Sequence, residues 1–250
     1  MIRNVGYAIF LLLASCAGHS DDAADPNAAS EEGIQGGVAD SRDPAVGLVW
    51  FQGGGFCTGT LISPTIVLTA GHCVQDPIDG FYTGTGKAVA NVGANPPPGM
   101  VKHAVSAMAA HPSYQAGTCP NVTLDIGLIQ LAAPLTTIAP VAINSGAVPV
   151  AATSCTAIGY GTHNTGSKVT VEAKRQGTEK VTSSAATSIQ VSFGTAVADH
   201  GDSGGPLVCG GVIAGTTSCH TDGNWPTHKI EHYARVDAAH TWIAQKLANW

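Results

Sequence analysis

The sequence has few charged and aromatic residues and no strongly basic stretch. Charged residues make up 11% of its 250 residues and aromatic residues 6%, with 17 acidic against 11 basic side chains. With a net charge of −6, nothing in the sequence resembles the basic surface by which proteins bind nucleic acids, so no nucleic-acid partner is expected. Long helical patterns are scarce, whereas glycine is abundant, with 31 residues, and short β-branched runs recur. This composition predicts an all-β globular protein.

The amino terminus has the pattern of an export signal. Arg3 is followed by an apolar run over residues 5–15, which is too short to span a bilayer. The run ends in LASC at residues 13–16, which resembles the bacterial lipobox, whose cysteine is lipidated. We expect residues 1–16 to be a signal peptide and Cys16 to anchor the precursor to a membrane. The alternative is an ordinary signal peptide in which Cys16 is incidental.

The number of cysteines favours the lipid interpretation. Seven is odd, and assigning Cys16 to a lipid leaves six. An even set is typical of disulfides formed in an oxidising compartment, so we predict a secreted or cell-envelope protein. The six are Cys57, Cys73, Cys119, Cys155, Cys209 and Cys219.

The rest of the chain divides at Ile34. Residues 17–33 are small, polar and acidic, which predicts a flexible propeptide or tether. Residues 34–250 contain short apolar runs separated by turn residues and form the predicted folded domain. A helix is expected at its end, capped by Asp237, with Ile243 and Leu247 on one face.

Three segments carry residues suited to nucleophilic catalysis. GDSGGP at 201–206 is a glycine-rich turn that can aim the N–H groups of Gly201 and Ser203 at one point, an oxyanion hole. A glycine-rich turn alone is usually only a turn. Upstream, however, the segments TAGHC and DIGLI supply a histidine, His72, and an aspartate, Asp125. A serine hydroxyl needs a base to take its proton, which His72 can do while Asp125 holds the imidazole in the useful tautomer.

These segments resemble those of trypsin/chymotrypsin-family serine peptidases. IQGG at 34–37, HPSY at 111–114 and GYG at 159–161 extend the resemblance over residues 34–250. It implies two six-stranded antiparallel β-barrels, at about 34–140 and 141–236, with a C-terminal α-helix at 237–250. It also implies a serine endopeptidase that cleaves protein or peptide substrates through an acyl-enzyme without a cofactor.

The resemblance further implies a zymogen. Cleavage before Ile34 would free an amine that inserts beside the Asp202 carboxylate and shapes the oxyanion hole. Trypsins are activated after a basic residue, whereas this bond follows Glu31, Glu32 and Gly33. The activating protease is therefore expected not to be trypsin-like. Because no cysteine except Cys16 precedes Ile34, cleavage would also release the enzyme from its lipid.

Two disulfides follow from the resemblance, Cys57 with Cys73 and Cys155 with Cys209. The family partner of the cysteine at position 219 would stand four residues before the nucleophile, where this chain has Asp199. We therefore predict a bridge between the two remaining cysteines, Cys119 and Cys219.

Substrate preference is where the chain departs most from the family. Val197 occupies the place of the aspartate by which trypsins bind arginine or lysine, and Glu231 stands where they have a glycine at the back of the same pocket. We expect mixed acceptance of basic and large apolar side chains. The resemblance places Thr216 at the neck of the pocket, where a branched residue would instead favour small substrate side chains. A purely structural role for Glu231 is as well supported as a role in binding substrate.

Other functions fit the sequence less well. HKIEH at 228–232 fits a zinc-binding pattern, which requires a helix, but the segment is predicted to be a strand, so no metal is expected. A serine esterase of the nucleophile-elbow class is disfavoured because the order His72, Asp125, Ser203 along this chain differs from the order of the triad in that class. The main alternative is a non-catalytic binding protein on the same fold, which the complete triad disfavours.

Overall fold

The computed structural model describes residues 34–86, 89–90, 95–146, 148–165, 168–171, 173–221 and 229–250. The predicted signal peptide with Cys16, the propeptide at 17–33 and His228 lie outside these residues. The described strands are β1 (Val38–Ala39), β2 (Val46–Phe51), β3 (Phe56–Ser63), β4 (Ile66–Thr69), β5 (Ile78–Thr83), β6 (Val89–Ala90), β7 (Val101–His103), β8 (Val105–Ala110), β9 (Gly127–Leu131), β10 (Ser154–Gly159), β11 (Thr162–Thr165), β12 (Lys168–Val171), β13 (Arg175–Ser184), β14 (Ser188–Phe193), β15 (Pro206–Cys209), β16 (Val212–His220) and β17 (Ile230–Arg235).

The first large sheet has the strand order β7-β5-β2-β3-β4-β9-β8, and every pairing in it is antiparallel. Its two edge strands, β7 and β8, are separated in the chain by Ala104 alone, so the sheet curls back towards itself. Inward-facing apolar side chains fill it, among them Val49, Leu61 and Phe81, which are fully buried. Their removal from water stabilises this half of the molecule.

The second large sheet closes completely. Its strands follow the order β13-β10-β15-β16-β17-β14, and β14 pairs again with β13 to complete a six-stranded ring, with β1 added outside β13. A separate core that includes Val181, Ile189 and Leu207 fills it. Strands β6, β11 and β12 form a small third sheet. The predicted fold class, an all-β pair of antiparallel barrels with a C-terminal helix, is confirmed.

The chain ends differ in detail from their sequence prediction. Residues 34–39 do not join the first barrel but lie on the second, through the pairing of β1 with β13 and of Gln35 with Val197. The terminal helix α1 spans His240–Asn249 and follows a 3₁₀ turn at Asp237–Ala239. Asp237 does not cap it, because its carboxylate binds the Arg235 guanidinium instead.

The expected disulfide bonds are present. The structure joins Cys57 to Cys73, Cys155 to Cys209 and Cys119 to Cys219. The last bridge closes a loop of 100 residues and connects the segment before Asp125 with the end of β16. Within the described ranges, no helix has the length and apolarity needed to cross a membrane.

Candidate active site

The histidine and the aspartate meet because β4 and β9 are neighbours. Thr69, the last residue of β4, pairs with Gly127, the first of β9, so the residues just after one and just before the other are adjacent. His72 lies in the 3₁₀ turn His72–Val74, and its ring Nδ1 is 2.8 Å from Asp125 Oδ2. Its backbone N–H donates to Asp125 Oδ1 at 2.8 Å. Because an ionised carboxylate only accepts, Nδ1 carries the proton and Nε2 remains basic.

Asp125 is buried, and neighbouring residues supply hydrogen-bond donors to it. Ser218 donates its hydroxyl to Oδ2 at 2.6 Å, and the Thr216 hydroxyl donates to the Asp125 backbone carbonyl at 3.3 Å. Burial acts to raise the pKa of Asp125, but the hydrogen bonds and charge of His72 and the bond from Ser218 outweigh it, so the pKa is lowered. Sequence reasoning missed Ser218, because only the path of β16 brings it to Asp125.

Ser203 stands in a turn that glycine makes possible. Gly201 has φ +92° and Gly204 φ +78°, in the left-handed region, and a Cβ on Gly201 would lie 2.4 Å from the Phe56 ring. The N–H groups of Gly201 and Ser203 have no hydrogen-bond partner among the described residues. They are therefore free to receive an oxyanion.

The backbone of this turn is held by the other barrel. Thr58 of β3 donates its N–H to the Ser203 carbonyl at 2.8 Å and its hydroxyl to the Gly201 carbonyl at 2.9 Å. Cys73, the residue after His72, contacts the Ser203 carbonyl through its sulfur at 3.7 Å. The His72 side chain is 35% exposed, and the Ser203 hydroxyl has no hydrogen bond with a described residue, so both face the open cleft.

Asp202 points away from the cleft into the protein. Its carboxylate is completely buried and accepts N–H groups from Gly161 at 2.7 Å, Asp199 at 2.9 Å and Ile34 at 3.3 Å. Burial raises the pKa of Asp202 to about 7, although these backbone N–H groups lower it. A positive charge at the Ile34 nitrogen would favour the ionised form.

A cavity of about 220 Å³ adjoins Ser203. Its lining residues are Asp199, His200, Ser203, Thr217, Ser218, Cys219, His220 and Glu231. Of the three residues predicted to form the substrate pocket, Glu231 lines this cavity. Val197 does not, since it is fully buried and its backbone pairs with Gln35.

The assignment of Thr216 to the pocket neck is wrong. Its side chain is fully buried under Asp125 and does not line the cavity. Thr217 to His220, at the end of β16, line the cavity instead.

The described part of the HKIEH segment does not form the helix that the zinc-binding pattern requires. Glu231 and His232 are consecutive on strand β17, so their side chains point to opposite faces. Elsewhere in the described residues, Cys57, His72 and Cys73 lie close enough to share a metal ion, but the two cysteines are joined in a disulfide and cannot ligate as thiolates.

The comparisons with known proteins identify the family and the fold that this chain resembles. The family model "Trypsin" matches residues 34–243. Trypsin alpha-4 of Lucilia cuprina is 28% identical over 238 residues, covering 86% of this chain and 88% of that protein. Human kallikrein-4 is 31% identical over 174 residues, covering 65% and 66%. Among solved structures, neuropsin, a serine protease expressed in the limbic system of mouse brain, aligns with a TM-score of 0.70 at 24% identity, over 84% of this chain and 98% of that one.

Proposed function

Because this chain belongs to the trypsin family, we propose that it is a serine endopeptidase whose nucleophile, base and orienting acid are Ser203, His72 and Asp125. The observation that carries the proposal is the pair of 2.8 Å hydrogen bonds between His72 and the buried Asp125 carboxylate. They orient the imidazole and leave Nε2 as a base, beside a serine turn whose two N–H groups have no described partner.

The reaction proceeds through two transfers of an acyl group. His72 takes the Ser203 hydroxyl proton as the oxygen attacks the substrate carbonyl, and the N–H groups of Gly201 and Ser203 stabilise the oxyanion. His72 then gives the proton to the leaving amine, which departs and leaves an acyl-enzyme. Water, activated by His72, hydrolyses the ester and regenerates Ser203. No cofactor takes part in these steps.

We also propose that the chain is made as a zymogen. The Ile34 nitrogen is 3.3 Å from an Asp202 carboxylate oxygen. Cleavage before Ile34 would convert this amide into an ammonium group that pairs with a buried carboxylate, which is a much stronger interaction. Asp202 lies between the oxyanion donors Gly201 and Ser203 in the chain. An ion pair between the Ile34 ammonium group and Asp202 would therefore hold the oxyanion hole in its active conformation. The bond follows Gly33, so the activating protease would be one that does not require a basic residue.

The precursor is proposed to be exported and anchored through Cys16. The LASC sequence at 13–16 supports lipidation, and the three disulfides fit an extracellular protein. Cleavage before Ile34 would then release the peptidase from the membrane at the same time as it becomes active. A membrane fraction that retains chains beginning at Ile34 after washing would contradict this.

The test of the activity uses protein processed to begin at Ile34. A serine-reactive fluorophosphonate should label Ser203, and mass spectrometry of cleaved peptides should show endopeptidase products. Ser203→Ala and His72→Ala should each reduce turnover by about a thousandfold or more. A correctly processed, folded wild type that is neither labelled nor active would be a binding protein, and the proposal would fail.

A further inference from the structure

The Thr58 hydroxyl adjoins the turn that carries Ser203. Thr58 is fully buried in β3, and its Oγ1 lies 2.9 Å from the Gly201 carbonyl oxygen and 3.2 Å from the Tyr160 nitrogen. The Tyr160 N–H can only donate, and the Gly201 carbonyl can only accept. The hydroxyl therefore accepts from Tyr160 and directs its own proton at Gly201.

Gly201 needs a restraint from outside its own turn. It has φ +92°, and glycine changes its backbone conformation at low cost because it has no Cβ. The peptide that follows it is held on its other side by Asp202, whose N–H donates to the Asp199 carbonyl at 2.9 Å, a bond within the turn itself. Among the described residues, no donor other than Thr58 binds the Gly201 carbonyl. Thr58 thus ties this peptide to a strand of the first barrel.

The second proposed oxyanion donor is tied to the same residue. The Thr58 N–H donates to the Ser203 carbonyl at 2.8 Å, and the Thr58 carbonyl accepts the Thr69 hydroxyl at 2.8 Å. Thr69 is the last residue of β4, the strand that leads to His72. One buried residue therefore holds the carbonyls of Gly201 and Ser203 and connects both to the strand that precedes the proposed base.

The Tyr160 side of this network leads to Asp202. Gly161, the residue after Tyr160, donates its N–H to the Asp202 carboxylate at 2.7 Å. The GYG segment therefore holds Asp202 directly and Gly201 through the Thr58 hydroxyl. Hydrogen bonds that follow one another in the protein interior polarise and strengthen each other. The place of Asp202 and the direction of the Gly201 peptide are consequently set by one segment.

We infer that Thr58 is a positioning residue whose side-chain hydroxyl fixes the Gly201 peptide so that the Gly201 N–H points into the oxyanion hole. This inference rests on the proposed peptidase function. The role belongs to the hydroxyl, because the backbone N–H of any residue except proline could bind the Ser203 carbonyl equally well. An oxyanion hole acts through donors whose direction is set before charge develops, so a small rotation of this N–H weakens it.

The kinetic test removes the hydroxyl in two ways. Thr58→Val replaces it with a methyl group, and Thr58→Ala leaves a space, so an effect shared by both variants cannot come from steric pressure. We expect each to lower kcat by about ten- to hundredfold with KM changed by less than about twofold, because the hole binds developing charge rather than the ground-state substrate. Thr58→Ser keeps the hydroxyl and should restore kcat to within about threefold of wild type.

Thr60 supplies a matched control on the same strand. It lies two residues from Thr58, is buried, and its hydroxyl has no hydrogen-bond partner among the described residues. Thr60→Val therefore makes the same chemical change without removing a hydrogen bond, and kcat should stay unchanged. An equal loss of kcat in Thr60→Val, or full kcat in folded Thr58→Ala, would overturn the inference.

Inhibitor binding separates a defect of the oxyanion hole from a general defect of the site. A peptide aldehyde adds to Ser203 and places its oxygen in the hole, whereas the matching peptide alcohol has no carbonyl and cannot do so. Thr58→Ala should weaken aldehyde binding by about the same factor as it lowers kcat/KM and leave alcohol binding within about twofold. Equal weakening of both inhibitors would show that Thr58 has only a structural role.

An NMR measurement tests the inference without catalysis. In Ser203→Ala protein that begins at Ile34, relaxation dispersion of ¹⁵N-labelled glycine amides reports motion on the microsecond-to-millisecond timescale. The Gly201 amide should show exchange when Thr58→Ala is added, but not when Thr60→Val is added. A rigid Gly201 amide in the Thr58→Ala protein would overturn the inference whether or not the protein is a peptidase. A mobile one, in a protein whose wild type is neither labelled by fluorophosphonate nor active, would remove the peptidase proposal alone.

Discussion

At the scale of single residues, Gly159 and Gly161 show why a short motif surrounds a buried charge. A Cβ on Gly159 would lie 2.0 Å from Asp202 Oδ1, and one on Gly161 would lie 2.2 Å from Oδ2. Atoms cannot approach so closely, so any side chain at either position must displace the carboxylate. Both glycines of the GYG motif are therefore needed to leave room for the Asp202 carboxylate.

We predict that Gly161→Ala destabilises the protein and damages the oxyanion hole together. The added methyl group should lower the free energy of unfolding by about 1–3 kcal/mol, as overpacking does. It should also lower kcat/KM by about tenfold, because displacing Asp202 moves Gly201 and Ser203. Urea denaturation and peptide hydrolysis measure the two effects. Gly53→Ala is the control, because a Cβ there meets nothing within 4 Å and both quantities should be unchanged.

A second residue-scale prediction concerns Ser218. Its hydrogen bond favours the ionised form of Asp125, so Ser218→Ala should raise the pKa of that carboxyl group and lower kcat by about tenfold. A carboxyl group with a lowered pKa stabilises the fold above its unfolded pKa, and this stability is lost as pH falls through the folded pKa. The variant's loss of unfolding free energy should therefore be largest at neutral pH and shrink below about pH 4. Ser106→Ala, at an exposed site on β8, should show neither effect, and a loss independent of pH would contradict the assignment.

At the scale of elements, strand pairing explains which features could be predicted. The sequence singled out His72 and Asp125 because each lies in a distinctive segment, and the pairing of β4 with β9 brings those segments together. Thr216 was misplaced because only the path of β16 shows that its side chain is buried under Asp125, whereas Thr217 to His220 reach the cavity. Glu179 went unnoticed because nothing around it in the sequence indicates that its carboxylate is fully buried.

The Cys119–Cys219 bridge is an element-scale restraint on the cavity. Cys219 lines the cavity and follows Ser218, so the bridge ties this end of β16 to the segment before Asp125. The double variant Cys119→Ala with Cys219→Ala should lose about 2–4 kcal/mol of unfolding free energy and raise KM several-fold, measured on protein whose active sites have been titrated. Removing Cys155 and Cys209 should also reduce stability, but with KM unchanged, since they lie away from the cavity. Equal changes of KM in both double variants would show that the bridge has no local role.

At the scale of the whole molecule, the second barrel contains two carboxyl groups that favour their protonated forms. Burial raises the pKa of Asp202 to about 7 and that of Glu179 to about 8. Both values lie above the ordinary carboxyl pKa near 4, so the folded chain binds more protons than the unfolded chain between about pH 4 and 8. The stability that these two groups contribute is fully present below about pH 4 and is lost as the pH rises through 7 to 8.

We therefore predict that activation changes how stability depends on pH. The uncleaved Ser203→Ala precursor should lose several degrees of Tm between pH 5 and 8.5. The same variant beginning at Ile34 should lose less, because its ammonium group stabilises ionised Asp202. Calorimetry of both forms across this range is the measurement, and Glu179→Gln should flatten both curves equally. Parallel curves for precursor and processed chain would show that the amine does not pair with Asp202.

The contacts of Thr58 have a consequence for when activity can arise. This residue of the first barrel holds the carbonyls of Gly201 and Ser203, which belong to the second, so neither barrel contains a complete site. As the chain leaves the ribosome, His72 and Asp125 emerge and can pair before Ser203 has been made. Strands β15 to β17 and helix α1 come last, and the second barrel cannot close without them. Partly made or broken chains would therefore lack the proposed peptidase activity, so the order of the strands would protect the cell that makes this protein in addition to the proposed propeptide.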